Sequence, residues 1–418
     1  MNLLIREAEN ILLNNRREGY TLPTNNKLYP AQWNWDSAYI ALGYSYFNKE
    51  FAIVELEKLF EGQWSDGMVP HILFHQKDEN YFPNHNTWQC GDKIPSSGIT
   101  QPPIAASILK LMLDKTEFSS SEMERILNLI KKTKKYLEWF CKYRDPNDTG
   151  LVSILHPWES GTDNSPLWDF PLSKILIEEN LAYKRRDLDV SSSDVRPLKR
   201  DYDCYITLLN QFRNQKYNPE QLYDISMFNV VDIGFNSLFL KACKDLVYIA
   251  TKNNIDCTSI QKKITRTENK LISLYNQNDN SFYSYDVLNK QPLEIPSITN
   301  YFILFADIQN KEINNSIIQS LKKYNSNEKY FFSSIKPDSK YFEEIRYWRG
   351  PVWINCNWIL YKGLLEKDPD FANKIKSHTL DLIHEKDFHE YYSCKSGTPY
   401  GANNFSWSAA LYLDLINN

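Results

Sequence analysis

A chain of 418 residues with 42% hydrophobic and 24% charged side chains has the material for a large core and a water-soluble surface, which excludes disorder. Its formal net charge of -4 gives none of the basic footprint that phosphate backbones demand, so no nucleic-acid partner is expected. Seven cysteines, odd in number and without a C-x-x-C pair, form neither a disulfide framework nor a zinc site, and a reducing compartment, the cytoplasm, is expected.

Met1–Arg17 mixes Glu and Asn into its apolar residues and reads as an amphipathic helix without the apolar centre of a signal peptide. No apolar run approaches the roughly 20 residues needed to span a bilayer, so no membrane association is expected. Apolar positions then recur at three- and four-residue spacing, which predicts helices over Ala38–Phe47, Phe51–Phe60, Ile104–Leu113, Met123–Phe140, Phe235–Ala250, Ile260–Tyr275, Ile313–Tyr324, Trp353–Leu364, Phe371–Ile383 and Trp407–Leu415. Strand-like alternation is rare.

Loops rich in Trp, Tyr, Gly, Pro, Asn and carboxylates precede helices near Trp35, Gln101, Asp163, Asp232, Ser297, Pro351 and Asn404, at intervals of roughly 55 to 70 residues, the length of a long helical hairpin. Several end in helix-start chemistry: Asp36 before Ser37, Pro102 and Pro103 before Ile104, and Pro351 in a first turn. Such loops converge if alternate helices begin at one mouth, and the expected fold is all-α, an (α/α)6 barrel with long active-site loops. The loops number one more than six hairpins need, so one element is expected to be an insertion, with Asp187–Asp203 the irregular excursion. No linker divides the chain, and one domain over residues 1–418 is expected. An open solenoid or irregular helical domain is the competing arrangement.

The chemistry lies in these loops. His156–Asp169 packs three carboxylates, two Trp and a Gly between helices, a poor core and a poor linker but good material for a polar pocket. Glycoside cleavage needs a carboxylic acid kept protonated beside the leaving oxygen, and flanking aromatics raise its pKa by desolvation. Asp163 suits that acid, or a helix N-cap. Glu390, between aromatics in a loop near the C-terminus, suits the base that activates water on the opposite ring face. Trp33, Trp35 and Asp36, and the group Tyr347, Trp348, Arg349 and Trp353, offer indoles and fixed charges for stacking on a sugar ring and gripping its hydroxyls. Any one of these Trp residues could equally be core. His384 and His389 are five apart rather than four, so they do not form a zincin helix; no metal and no cofactor is expected. A sugar epimerase would rely on His acid/base pairs, and of the seven His only His156 lies in a decorated loop; a sugar-binding protein without chemistry is a further alternative.

Gln32-Trp-Asn-Trp-Asp-Ser-Ala38, Ser97-Gly-Ile-Thr-Gln-Pro-Pro103, Trp158-Glu-Ser-Gly-Thr-Asp-Asn-Ser-Pro-Leu-Trp-Asp169, Tyr347-Trp-Arg-Gly-Pro-Val-Trp353 and Asn404-Phe-Ser-Trp-Ser-Ala-Ala410 together resemble glycoside hydrolase family 63, and within it the mannosylglycerate and glucosylglycerate hydrolases. The motifs run in order from about residue 29 to the C-terminus. Trehalases share Glu159-Ser-Gly-x-Asp163 and are the nearest competing family. The resemblance implies an inverting α-glycosidase acting on a small α-mannoside or α-glucoside, mannosylglycerate or glucosylglycerate above all, with Asp163 as acid and Glu390 as base; a trehalase-like enzyme or an oligosaccharide α-glucosidase is the alternative. It implies that Tyr29, Trp33, Trp35 and Asp36 line the sugar subsite, that Tyr81 and Gln101 are further pocket residues, and that Tyr347, Trp348 and Trp353 complete the wall. Arg196 and Tyr202 match a mobile loop that closes on an acidic aglycone; a guanidinium there suits a carboxylate, or a surface ion pair. The chain departs from the family after Glu390, where Tyr391-Tyr-Ser-Cys-Lys-Ser-Gly397 replaces the usual Pro turn and Thr-Gly-Glu.

Overall fold

Two kinds of helix alternate along the chain, and their side chains decide which goes inside. The computed structural model describes residues 2–25, 27–189, 191–324 and 327–418; Met1, at the head of the first expected helix, and Val190, within the expected excursion, lie outside the described residues. Helices α1 (Asn2–Asn15), α2 (Asn34–Ser45), α3 (Lys49–Glu61), α4 (Ala105–Lys115) and α5 (Ser120–Tyr143) come first. Then follow α6 (Lys199–Asn214), α7 (Pro219–Ile225), α8 (Ile233–Lys252), α9 (Thr258–Ile272), α10 (Lys311–Lys322), α11 (Ile354–Leu364), α12 (Pro369–Lys386) and α13 (Ser406–Ile416).

In α2, α11 and α13 nearly every residue is buried, whatever its place on the helical wheel. A helix apolar all round has to be surrounded by others. In α5, α9 and α10 the buried residues recur as one stripe, Ile126, Leu129, Ile130, Thr133 and Leu137 in α5, and the opposite face is charged. The first kind forms an inner ring: α2 packs on α4, α4 on α8, α8 on a 3-10 segment Ile298–Leu304, that segment on α11, α11 on α13, and α13 back on α2. Around it lie α1, α3, α5, α9, α10 and α12, each against the inner element it follows or precedes. The six-hairpin toroid expected from the sequence is the observed fold. Among the described residues no helix is long and apolar enough to cross a membrane.

The seventh decorated loop is explained by residues 144–232, which connect α5 to α8 by a long excursion. Asp163 therefore does not open an inner helix. It is followed by a 3-10 turn Pro166–Trp168, capped by Ser165, whose Oγ accepts from the Leu167 amide. The Asp187–Asp203 stretch is irregular through two 3-10 turns, Asp187–Asp189 and Ser193–Val195, but is helical from Lys199. Other expectations shift slightly: α2 begins at Asn34, so Asp36 sits in its first turn and not at its cap, and Pro351 precedes α11 by three residues, outside its first turn.

Two short antiparallel pairs finish the mouth. Gln32–Trp33 pairs with Ile72–Leu73 just before α2. His389–Tyr392 pairs with Pro399–Asn403 just before α13, so the segment around Glu390 is a hairpin strand, where the sequence suggested a loop. The register shifts between His389 and Tyr391, so Glu390 sits at an irregularity of the ladder, the kind of place where a strand departs from simple alternation. At the opposite end of the ring, fully buried Asp414 of α13 accepts from the Tyr46 hydroxyl (2.6 Å), Trp358 Nε1 (2.7 Å), Lys362 Nζ (2.7 Å) and Lys115 Nζ (3.3 Å), drawing four inner helices together.

Candidate active site

The starts of α2, α4, α11 and α13 open onto one cavity of about 340 Å3, within the range of small-ligand sites. Trp33, Trp35 and Asp36 reach it from α2, Gln101 from the approach to α4, Tyr347 and Trp348 from the approach to α11, and Phe405 and Trp407 from α13. Gln101 Oε1 accepts from the Trp35 amide at 3.3 Å, so one residue both lines the cavity and caps α2. The decorated loops at Asp232 and Ser297 do not reach it. Asp232 instead caps α8, accepting from the Phe235 amide at 2.8 Å and from Ser284 Oγ. The cavity is therefore eccentric, under the excursion and not on the ring axis.

Asp163 enters from the excursion. Its backbone carbonyl accepts from the Tyr205 hydroxyl at 2.8 Å, and two residues earlier Gly161, at φ +74°, lays the chain against the Trp35 indole, where a Cβ would come within 2.7 Å of the ring. The loop beneath is anchored by buried Glu159, which takes Arg144 Nη2 on one oxygen and the Leu155 amide on the other. The Asp163 carboxyl keeps part of its surface open to the cavity. Burial raises its pKa to about 7, a rise that Arg196 opposes and the charge of Glu390 supports.

Glu390 faces the same cavity but is only 1% exposed. Its Oε1 accepts from the Tyr29 hydroxyl at 2.7 Å and its Oε2 from the Ala402 amide across the hairpin at 2.9 Å. Burial raises this carboxyl too, while Arg196, Tyr29 and the Ala402 amide pull it back toward the ionised form. Gly401, at φ +70°, leaves room for Oε2 that a Cβ would fill. The two acids thus differ: donors converge on Glu390, and no side chain donates to Asp163 among the described residues. Asp36 is a third carboxyl in the cavity, raised well above the ordinary range by burial.

Arg196 is not a surface ion-pair residue. It is 5% exposed, donates from Nε to Asp187 (3.2 Å) and from Nη1 to the Tyr29 hydroxyl (3.1 Å), and lies over the Tyr347 ring at 4.4 Å. Asp187 is also held by Arg185, which stacks on Tyr202 at 4.0 Å. Arg346 Nη1 donates to the Arg196 carbonyl at 2.9 Å, so this strap is pinned to the wall that carries Tyr347. Tyr29, Tyr81, Arg196 and Tyr202 all line the cavity.

Of the residues singled out from the sequence for the sugar wall, Trp353 and Arg349 do not line the cavity. Trp353 is the inner of the two. It lies behind Trp348, stacked at 3.7 Å and 3°, with Tyr391 on its other face at 4.7 Å, and so stiffens the wall without forming it. Arg349 is turned away, paired with Asp169 and Glu343. His156 is structural: Nδ1 accepts from the Trp158 amide and Nε2 meets the Tyr205 carbonyl. Sequence reading missed His71, Trp158, Asp187 and Trp407 as lining residues. Trp158 and Trp407 stood inside the quoted motifs, whereas His71 follows Val69-Pro70 with no motif around it. Among the described residues no group of His, Cys, Asp or Glu is arranged to hold a metal ion.

A helical toroid whose mouth sets two unlike carboxyls among stacked indoles is the architecture of a glycoside hydrolase. Residues 29–408 match the model of the mannosylglycerate hydrolase MGH1-like glycoside hydrolase domain, and the chain belongs to that family. It is 39% identical to a mannosylglycerate hydrolase of Thermus thermophilus over 97% of this chain and 99% of that one. It is 28% identical to a glucosylglycerate hydrolase of Mycolicibacterium hassiacum over 93% and 92% of the two. The crystal structure of a GH63 mannosylglycerate hydrolase of Thermus thermophilus in complex with Tris and D-glycerate superposes with a TM-score of 0.95 at 38% identity, covering 99% of this chain and 100% of that one.

Proposed function

We propose that the whole chain acts as one catalytic domain that hydrolyses an α-linked glycosyl glycerate with inversion, Asp163 serving as general acid and Glu390 as general base. The observation that carries this reading is the inequality of the two carboxyls. Asp163, without side-chain donors and raised to about 7, holds a proton to deliver to the glycosidic oxygen. Glu390, held by Tyr29 and the Ala402 amide, is oriented as a carboxylate to take a proton from water attacking the anomeric carbon. Asp36, which burial pushes toward its protonated form, faces the sugar hydroxyls, while Trp33, Trp35 and Trp348 supply the apolar faces. Arg196 is the fixed cation for the glycerate carboxylate. Its Nε and Nη1 are engaged, and its Nη2, without a partner among the described residues, is free for a charge-assisted bond. That the similar Thermus protein is described with D-glycerate supports this assignment.

The glycosyl unit is mannose in this reading, because the 39% and 38% identical relatives are mannosylglycerate hydrolases; glucose is the second reading, favoured by the glucosylglycerate hydrolase at 28%. Seven free cysteines fit a cytoplasmic enzyme. The deciding experiment compares release from mannosylglycerate, glucosylglycerate, trehalose and short α-glucans, with proton NMR of the first-formed anomer. Preference for the glycerates and initial release of the β-anomer are expected. Preference for trehalose, or initial release of the α-anomer, overturns the substrate or the mechanism respectively.

A further inference from the structure

His71 is the cavity residue that the preceding chemistry leaves without work. Its backbone is fixed on both sides, the amide donating to the Ile99 carbonyl at 2.7 Å and the carbonyl accepting from the Asn34 amide at 3.1 Å. The ring is set near-parallel to Trp158, at 23° with centroids 6.3 Å apart, and lines the same cavity as Asp163 and Glu390. Nδ1 is buried and has no hydrogen-bond partner. Nε2 has none either among the described residues, yet it is not enclosed like Nδ1, so its open side is the cavity. A buried imidazole with both nitrogens unanswered by protein is uncommon, because each unmet polar atom costs desolvation.

We propose that His71 is a specificity-determining residue, a neutral imidazole whose Nε2–H donates to one ring hydroxyl of the bound hexose. This rests on the glycosidase reading of the same cavity. The tautomer follows from the pocket: an orphaned buried N–H is rarer than an orphaned acceptor, so the proton belongs on Nε2, where a ligand can meet it. Neutrality follows as well. Burial, with His156 nearby, holds the imidazole down to about 3, so it carries no charge while the enzyme works. A cation here would oppose the positive charge that grows on the sugar ring in an oxocarbenium-like transition state, and would pull the proton off Asp163. A neutral donor grips a hydroxyl without either penalty. A site that answers a hydroxyl with a buried polar group rejects the analogue lacking it far more strongly than an apolar wall could.

The test is a kinetic and binding series on the full chain with His71→Phe, which keeps a ring beside Trp158 but no donor, and His71→Gln, which restores one. Binding of mannose, glucose and their monodeoxy analogues is titrated alongside turnover of the glycerate glycosides. His71→Phe is expected to lose about tenfold to a hundredfold in kcat/KM, with part recovered in His71→Gln and the limbs of the pH profile unmoved. One monodeoxy sugar, lacking the contacted hydroxyl, is expected to bind wild type and His71→Phe alike. Equal losses for every analogue, or no loss at all, overturn the proposal in favour of packing. Should His71→Phe fail to fold, nitrogen-15 NMR of the wild-type ring decides: an Nε2–H tautomer shifting on sugar binding supports the contact, and an Nδ1–H tautomer or an unmoved signal refutes it. A wild type that hydrolyses no α-glycoside defeats the functional reading alone, since the hexose titration still reports on His71.

Discussion

At the scale of single residues, the role proposed for Asp163 ties rate and stability to one proton. Asp163→Asn removes the proton donor and is expected to lower kcat by about 10²- to 10⁴-fold without disturbing the fold, measured with steady-state kinetics and circular dichroism. In the wild type, activity should fall as pH rises through about 7, because the acid then loses its proton. Stability follows the same group. The folded-state pKa is raised above the ordinary 3.8, so the folded protein holds this proton more tightly than the unfolded chain does. The contribution is complete below pH 3.8 and is lost as pH rises through about 7. Thermal melts of Asp163→Asn and wild type should therefore agree below pH 3.8, diverge as the pH rises from there to about 7, and stay apart above it with the variant melting higher.

Arg196, the cation proposed for the glycerate carboxylate, lets recognition be tested apart from chemistry. Replacing it with Met removes the cation while Arg185 still pairs with Asp187. KM for a glyceryl substrate should rise about tenfold to a hundredfold, the worth of a charge-assisted bond, whereas a glycoside with a neutral aglycone should change far less. Equal effects on both substrates would assign Arg196 to the architecture of the strap.

Among elements, the hairpin that carries Glu390 leaves no room at Gly401. In Gly401→Ala the new Cβ meets Glu390 Oε2 and the Tyr391 ring, at a φ of +70° that L side chains rarely adopt. A fall in kcat together with about 1–3 kcal/mol of lost stability is expected from denaturant titration. Nothing in the sequence announced this hairpin. Its strands are short, and they are held by Gly401 and by pairing across the Ser393–Thr398 turn with a register shift that leaves no clean alternation. The helices were legible because packing in a toroid imposes a 3.6-residue period. Two were overlooked, the short α7 and the longer α6: α6 buries Tyr202, Tyr205, Leu208, Leu209 and Phe212, a good helical stripe, but it follows a Ser- and Asp-rich stretch that reads as irregular. Trp353 was assigned to the wall because an indole in a motif looks the same whether it faces a ligand or supports one that does. His71 escaped because a lone His after Pro70 carries no local signal; only the convergence of four chain segments gives it a cavity to face.

For the molecule as a whole, the buried charge at the closed end of the ring is a stability device remote from the mouth. Asp414→Asn would leave Lys362 and Lys115 without their counter-charge, and a loss of about 3–5 kcal/mol is expected in chemical denaturation. Lys362 and Lys115 hold the Asp414 pKa down against burial. The contribution of this carboxylate is therefore present above the ordinary Asp range and disappears as the pH falls through its lowered folded value. Acid denaturation of wild type should include this loss, and the variant should lack it. At moderate temperature kcat should be retained, because α13 places Asp414 and Trp407 at its opposite ends.

The two carboxyls proposed for catalysis come from parts of the chain that meet late. Asp163 is carried by the excursion midway along the chain, and Glu390 by the hairpin leading into α13, the element that shuts the circle against α2. A ribosome must finish almost the whole polypeptide before the second carboxyl can find its place, so with the roles proposed a nascent or truncated product is expected to be inert however much helix it has gained. Turnover is thus a gauge of the final seam: during refolding, regained catalysis should trail regained ellipticity, and the lag would time the docking of the last segment.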